Sequence, residues 1–141
     1  MTNTKITNSD KETFSLGKDL AKKLKGGEII ALEGDLGAGK TVFSQGLCAG
    51  LGYKKQVQSP TFVLMKIYPL TKEKIKQICH IDAYQLNSWK DLEAIGAQDY
   101  LNQKETVTII EWADKLNLSS FQIIKIQFKI ITPEKREIKI F

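Results

Sequence analysis

The chain has 141 residues, 42% of them hydrophobic and 9% aromatic, with only three prolines, which suits one folded domain over residues 1–141 and excludes a disordered chain. Twenty lysines and a single arginine, Arg136, outweigh 16 acids to give a net charge of +5; that balance fits an anionic ligand or RNA and equally an ordinary solvated surface. No apolar run reaches the roughly 18 residues of a membrane span, the first eight residues lack the apolar core of a signal peptide, and Cys48, Cys79 and the lone His80 make neither a disulfide scaffold nor a zinc cluster. A cytoplasmic protein with buried thiols and no membrane association is expected.

In chain order, Ser9-Asp10-Lys11-Glu12 reads as a capping box opening a helix over about 10–25, with Phe14, Gly17, Leu20, Ala21 and Leu24 at helical spacing and Gly26-Gly27 as its stop. Glu28 to Leu32 is a short apolar run and predicts a buried strand that ends at a glycine-rich loop. A second helix is predicted from about Lys40 to Leu51. Extended stretches at Phe62 to Tyr68 and Ile75 to Ile81 follow, joined by a loop; then a short helix capped by Ser88, and a strand over Thr106 to Ile110. The tail alternates, with Ile124, Ile126, Phe128 and Ile130 on one face, turns at Thr132 to Lys135 and returns as a strand from Arg136 to Phe141. Together these elements predict an α/β fold with a mixed sheet that is parallel near the glycine-rich loop and an antiparallel C-terminal hairpin.

Gly34-Asp35-Leu36-Gly37-Ala38-Gly39-Lys40-Thr41 matches the phosphate-loop pattern and sits between a predicted buried strand and a predicted helix, as phosphate binding requires. Its glycines let successive amides turn inward, and the positive end of the following helix reinforces that nest. Gly37, Ala38, Gly39, Lys40 and Thr41 are the expected amide donors. Lys40 is placed to bridge β- and γ-phosphates, and the Thr41 hydroxyl to ligate magnesium. Such a site also needs a carboxylate at the end of a neighbouring strand; Asp82 and Glu111 both qualify, and spacing alone does not choose between them. His80, taken singly, reads as a structural histidine.

The phosphate loop, Ser59-Pro60-Thr61-Phe62, His80-Ile81-Asp82-Ala83-Tyr84 and Ile110-Glu111-Trp112, in that order, resemble the TsaE (YjeE) family, and Leu92 to Tyr100 matches its Glu-bearing helix and Gly-x-x-x-Tyr run. The resemblance implies a P-loop NTPase-like fold of three layers and a bacterial P-loop ATPase that uses ATP and Mg2+ and assists synthesis of threonylcarbamoyladenosine beside the tRNA anticodon. It also implies docking on the TsaD–TsaB pair, which performs the transfer, with the ATP cycle resetting that complex and tRNA met only through it. Carried over residue by residue, Gly37, Ala38, Gly39, Lys40, Thr41 and Val42 hold the nucleotide, Thr41 and Glu111 hold magnesium, and Lys40, Asp82 and Glu111 carry catalysis, Asp82 by orienting water or a metal-bound water. Ser59, Pro60 and Thr61 resemble a switch segment that feels the γ-phosphate. Arg136 matches a basic position expected on the adenine face, while Trp112 either covers the nucleotide or packs in the core. Gln85 departs from the family, which usually has arginine there. A P-loop kinase closing an arginine-bearing lid, and an RNA-binding module using Lys66, Lys72, Lys74 and Lys76, are the competing readings.

Overall fold

The chain alternates strands and helices along one sheet in the computed structural model, which describes residues 2–60, 63–71, 74–101 and 103–141. In order the elements are β1 (Asn3–Thr7), α1 (Asp10–Ala21), β2 (Ile29–Gly34), α2 (Lys40–Gly50), β3 (Met65–Pro69), β4 (Gln77–Asp82), α3 (Trp89–Ala94), β5 (Thr106–Glu111), β6 (Ile123–Ile130) and β7 (Arg136–Ile140), with short 3-10 turns at Ala97–Asp99 and Ala113–Lys115. The strands lie in the order β1-β7-β6-β2-β5-β4-β3. β6, β2, β5 and β4 are mutually parallel; β3 at one edge and β7 and β1 at the other run antiparallel.

Parallel strands buried on both faces need apolar residues at successive positions, and every residue of β5 and the last five of β4 are buried. Alternate residues therefore feed two cores. Ile30 and Leu32 of β2, with Ile109, Ile126 and Phe128, pack beneath Phe43, Leu47 and Cys48 of α2 and Ala21 of α1. Ile29 and Ala31, with Cys79, Ile81 and Ile110, meet Leu92 of α3, Ala97, Leu101 and Leu118. The result is the expected mixed, three-layered α/β fold with its antiparallel C-terminal hairpin.

Three local expectations are corrected. The first helix ends at Ala21, before the Gly26-Gly27 stop, because the chain tightens into i→i−3 bonds at Lys22, Lys23 and Leu24. In its capping box the Glu12 amide donates to Ser9 Oγ at 3.2 Å, but the Glu12 carboxylate takes the amide of Asn8 rather than that of Ser9. Ser88 occupies the N-cap of α3 without a side-chain bond; Asp91 instead accepts the Asn87 amide at 2.8 Å. β1 has no counterpart among the predicted elements: only Thr7 of its five residues is buried, as suits a polar edge strand, and the ladder to β7 defines it. Of the predicted Phe62–Tyr68 stretch, Phe62 lies outside the described residues, as does Lys72.

α1 and α2 touch backbone to backbone. A Cβ on Gly17 would stand 2.3 Å from the Phe43 carbonyl oxygen, and one on Gly46 2.0 Å from that of Phe14. Since α2 carries the phosphate-loop lysine and threonine, this contact seats the site. Gly17→Ala is expected to lose about 1–3 kcal/mol in urea unfolding as the helices are forced apart; a loss under about 0.5 kcal/mol would contradict so tight a seat.

Candidate active site at the strand ends

In a sheet of this kind ligands bind outside the carboxyl ends of the parallel strands. In-register pairing brings Leu32 of β2, Glu111 of β5 and Asp82 of β4 level at that edge. The loop after β2 and the first turn of α2 border a cleft of about 700 Å3, lined among others by Gly37, Gly39, Lys40, Thr41, Val42, Ser59, Asp82, Glu111 and Arg136. Sequence reading placed all of these together. It did not include Asp10, Leu36, Tyr84 and Pro133 among the site residues, and they line the cleft too, as does Trp112, for which a place over the nucleotide was one of two expectations; the tyrosine of the H-x-D-x-Y run was the available signal for Tyr84.

The loop turns on Gly39, the N-cap of α2, at φ 104°, a conformation that side chains rarely adopt. Phe43 N–H is the first amide of α2 to bond back, to Gly39 O at 2.9 Å. Among the described residues this leaves the Lys40, Thr41 and Val42 amides, the usual orphan donors of a first turn, without a carbonyl. The Ala38 amide differs from expectation, donating to Asp35 O at 3.1 Å within the loop itself.

Lys40 is 5% exposed. Its ammonium donates to the carbonyls of Gly34 and, at 2.9 Å, Asp35, and lies 3.8 Å from the centre of the Trp112 ring. Burial lowers its pKa below 10.5, partly offset by Glu111, Asp114, Asp35 and Asp82. A cation held at such a cost beside open volume is suited to phosphate. Trp112 holds φ at 60°, in the left-handed region directly after Glu111. Its half-buried indole also meets Tyr84 edge-on at 5.0 Å and packs on the second core, so it both covers Lys40 and completes the interior.

The Thr41 hydroxyl donates to Glu111 Oε1 at 3.2 Å. Glu111 is 2% exposed, and its Oε2 lies 2.5 Å from Nε2 of the fully buried His80. Asp82 accepts the Ser59 hydroxyl on Oδ2 at 3.1 Å and the Tyr84 amide on Oδ1 at 2.9 Å. Pro60 is buried and its carbonyl accepts the Leu64 amide at 2.7 Å, whereas Thr61 lies outside the described residues. Arg136 is bound by backbone: Nη2 donates to Gly37 O at 3.0 Å and Nη1 to Thr132, Pro133 and Lys135 carbonyls. That clamps the β6–β7 turn to the phosphate loop. Gln85 is exposed, just past Asp82.

Magnesium fits this donor set in one way. Among the described residues no three His, Cys, Asp or Glu side chains gather to cage an ion, but a hydroxyl and a carboxylate, both hard oxygens, meet at the cleft floor, the sparse protein set that magnesium takes when phosphates and water supply the rest.

Cys48 and Cys79 are free and buried, as expected, and burial pushes each thiol up to about 12. Between pH 9 and about 12 the unfolded chain ionises these thiols and the folded one does not, so stability is complete below pH 9 and falls across that window. Neither thiol is expected to react with an aromatic disulfide reagent at pH 8 until denaturant is added; fast native labelling would contradict the burial.

The family described as "Threonylcarbamoyl adenosine biosynthesis protein TsaE" matches residues 7–138. The chain is 32% identical over 139 residues to the tRNA threonylcarbamoyladenosine biosynthesis protein TsaE of Treponema pallidum, covering 96% of this chain and 97% of that one. It is 39% identical to the protein of the same name from Haemophilus influenzae over 87 residues, 62% of this chain and about half, 52%, of that relative. Among solved structures, Bacillus subtilis YdiB superposes with a TM-score of 0.78 at 28% identity, covering 99% of this chain and 84% of that one. None of the helices among the described residues is long and apolar enough to cross a membrane. On its sequence, from the phosphate loop to Glu111-Trp112, and on its fold, the chain belongs to the TsaE family.

Proposed function

We propose that this protein is a cytoplasmic accessory ATPase that binds Mg-ATP, hydrolyses it slowly, and docks on the TsaB–TsaD pair to support threonylcarbamoyladenosine modification of tRNA. The observation that carries the reading is the meeting of Lys40, Thr41 and Glu111 at the head of α2, on the floor of the cleft. Lys40 leaves its loop carbonyls for the β- and γ-phosphate oxygens, while the first-turn amides of α2 donate to the same phosphates. Thr41 and Glu111 hold the magnesium ion. When bound, magnesium neutralises charge on the phosphates as the terminal bond breaks. Asp82, which accepts from Ser59, orients the attacking water, and Ser59, Pro60 and Thr61 are the switch that senses the γ-phosphate. Arg136, clamped beside Gly37, offers its guanidinium face to adenine.

The test is steady-state Mg-ATP hydrolysis by the protein alone and with its matching TsaB–TsaD pair. Slow turnover that rises with the pair is expected. Turnover unaffected by the pair would contradict the accessory role, leaving small hydroxyl acceptors to be tried for kinase activity, with Gln85 the residue to examine for lost coupling.

A further inference from the structure

Glu111 shows its two carboxylate oxygens to different neighbours: Oε1 takes the Thr41 hydroxyl, and Oε2 faces His80 Nε2 at 2.5 Å. On the far side of the imidazole, Nδ1 lies 3.0 Å from Tyr68 Oη. The bonds are satisfied with the Tyr68 hydroxyl donating to Nδ1 and Nε2–H donating to Glu111. Tyr68 is stacked on Tyr53 at 4.7 Å, and its hydroxyl also stands 3.4 Å from the Gln58 carbonyl. Gln58 precedes Ser59, which donates to Asp82. The path of contacts leaves the cleft at Glu111 and re-enters it at Ser59.

An apolar pair would fill this space without the cost of burying an imidazole and a phenol, a cost offset only because each polar atom finds a partner. We propose that His80 and Tyr68 are positioning residues, which hold Oε1 of Glu111 on Thr41 from the far side of the carboxylate. Magnesium tolerates little departure from its geometry, and outer-shell partners of metal ligands typically change affinity or activity about 10–100-fold. Pinning one oxygen through His80 leaves the other where the ion needs it. This inference rests on the magnesium reading above.

Tyr68→Phe deletes the hydroxyl and keeps the ring on Tyr53; His80→Gln keeps a donor near Oε2 and drops the link to Tyr68. ADP affinity is measured calorimetrically with and without magnesium, and folding by thermal melting. Tyr68→Phe is expected to cut the magnesium enhancement of ADP affinity about 3- to 10-fold while leaving magnesium-free affinity unchanged. Adding it to His80→Gln is expected to cause no further loss, since it acts through the imidazole. An unchanged enhancement in Tyr68→Phe, or losses that multiply in the double variant, would overturn the positioning role alone. If His80→Gln fails to fold, Tyr68→Phe decides by itself. A wild-type protein whose ADP affinity ignores magnesium would overturn the magnesium reading and this inference with it.

Discussion

Lys40→Ala is expected to weaken ADP binding about 100-fold, roughly 3 kcal/mol, and to bring ATP hydrolysis to background. Lys40 and Arg136 are the cations among the described residues lining the cleft, and Arg136 has both terminal nitrogens committed to backbone carbonyls. Lys40 gives its ammonium to the Gly34 and Asp35 carbonyls, contacts made within a single loop that the oxygens of a phosphate can replace. Removing the ammonium therefore removes the site's mobile charge, and the Trp112 ring beneath it does not substitute. Lys40→Met, which keeps the stem against Trp112, separates charge from packing: it should bind as poorly as the alanine variant while melting close to wild type. Calorimetry with ADP checks both variants, and an affinity within about threefold of wild type for either would sink the phosphate role of Lys40.

Glu111→Gln is expected to abolish most of the magnesium enhancement of nucleotide affinity, at least about 10-fold, while magnesium-free ADP affinity stays within about threefold. The amide preserves the shape of the side chain between Thr41 and His80 but withdraws the negative charge. Glu111→Ala would also open a cavity and strand the His80 Nε2 in a fully buried position, so it mixes metal loss with instability and is the weaker test. A magnesium titration of Glu111→Gln indistinguishable from wild type would move the ligand role to Asp82, which sits level with Glu111 on the adjoining strand.

Much of this site is legible in the sequence because phosphate chemistry demands fixed residue types at fixed spacing: Gly34 to Thr41 announces a nest, and a strand must precede it. Spacing does not choose between Asp82 and Glu111, since both end buried strands; the family resemblance names Glu111, and the structure sets the Thr41 hydroxyl on that carboxylate. Nor does spacing show the Tyr68–His80 pair, which arises from the antiparallel register of β3 on β4, with Tyr68 opposite Ile78 and Lys66 opposite His80. A register set between two distant segments leaves no local pattern. β1 escapes for a related reason: its polar, exposed residues carry no periodicity, and it is a strand because β7 offers an edge. α1 ends about four residues before its predicted limit because i→i−3 bonds at Lys22, Lys23 and Leu24 tighten the chain ahead of the glycine pair, a choice that propensity does not resolve.

The cleft at the head of α2 is expected to hold one magnesium nucleotide. A calorimetric titration of the wild-type protein with ADP in excess magnesium tests it most directly. One nucleotide per chain, with binding lost in Lys40→Ala, is the predicted result; no detectable binding up to about 1 mM nucleotide, an affinity weaker than roughly −4 kcal/mol, would contradict it.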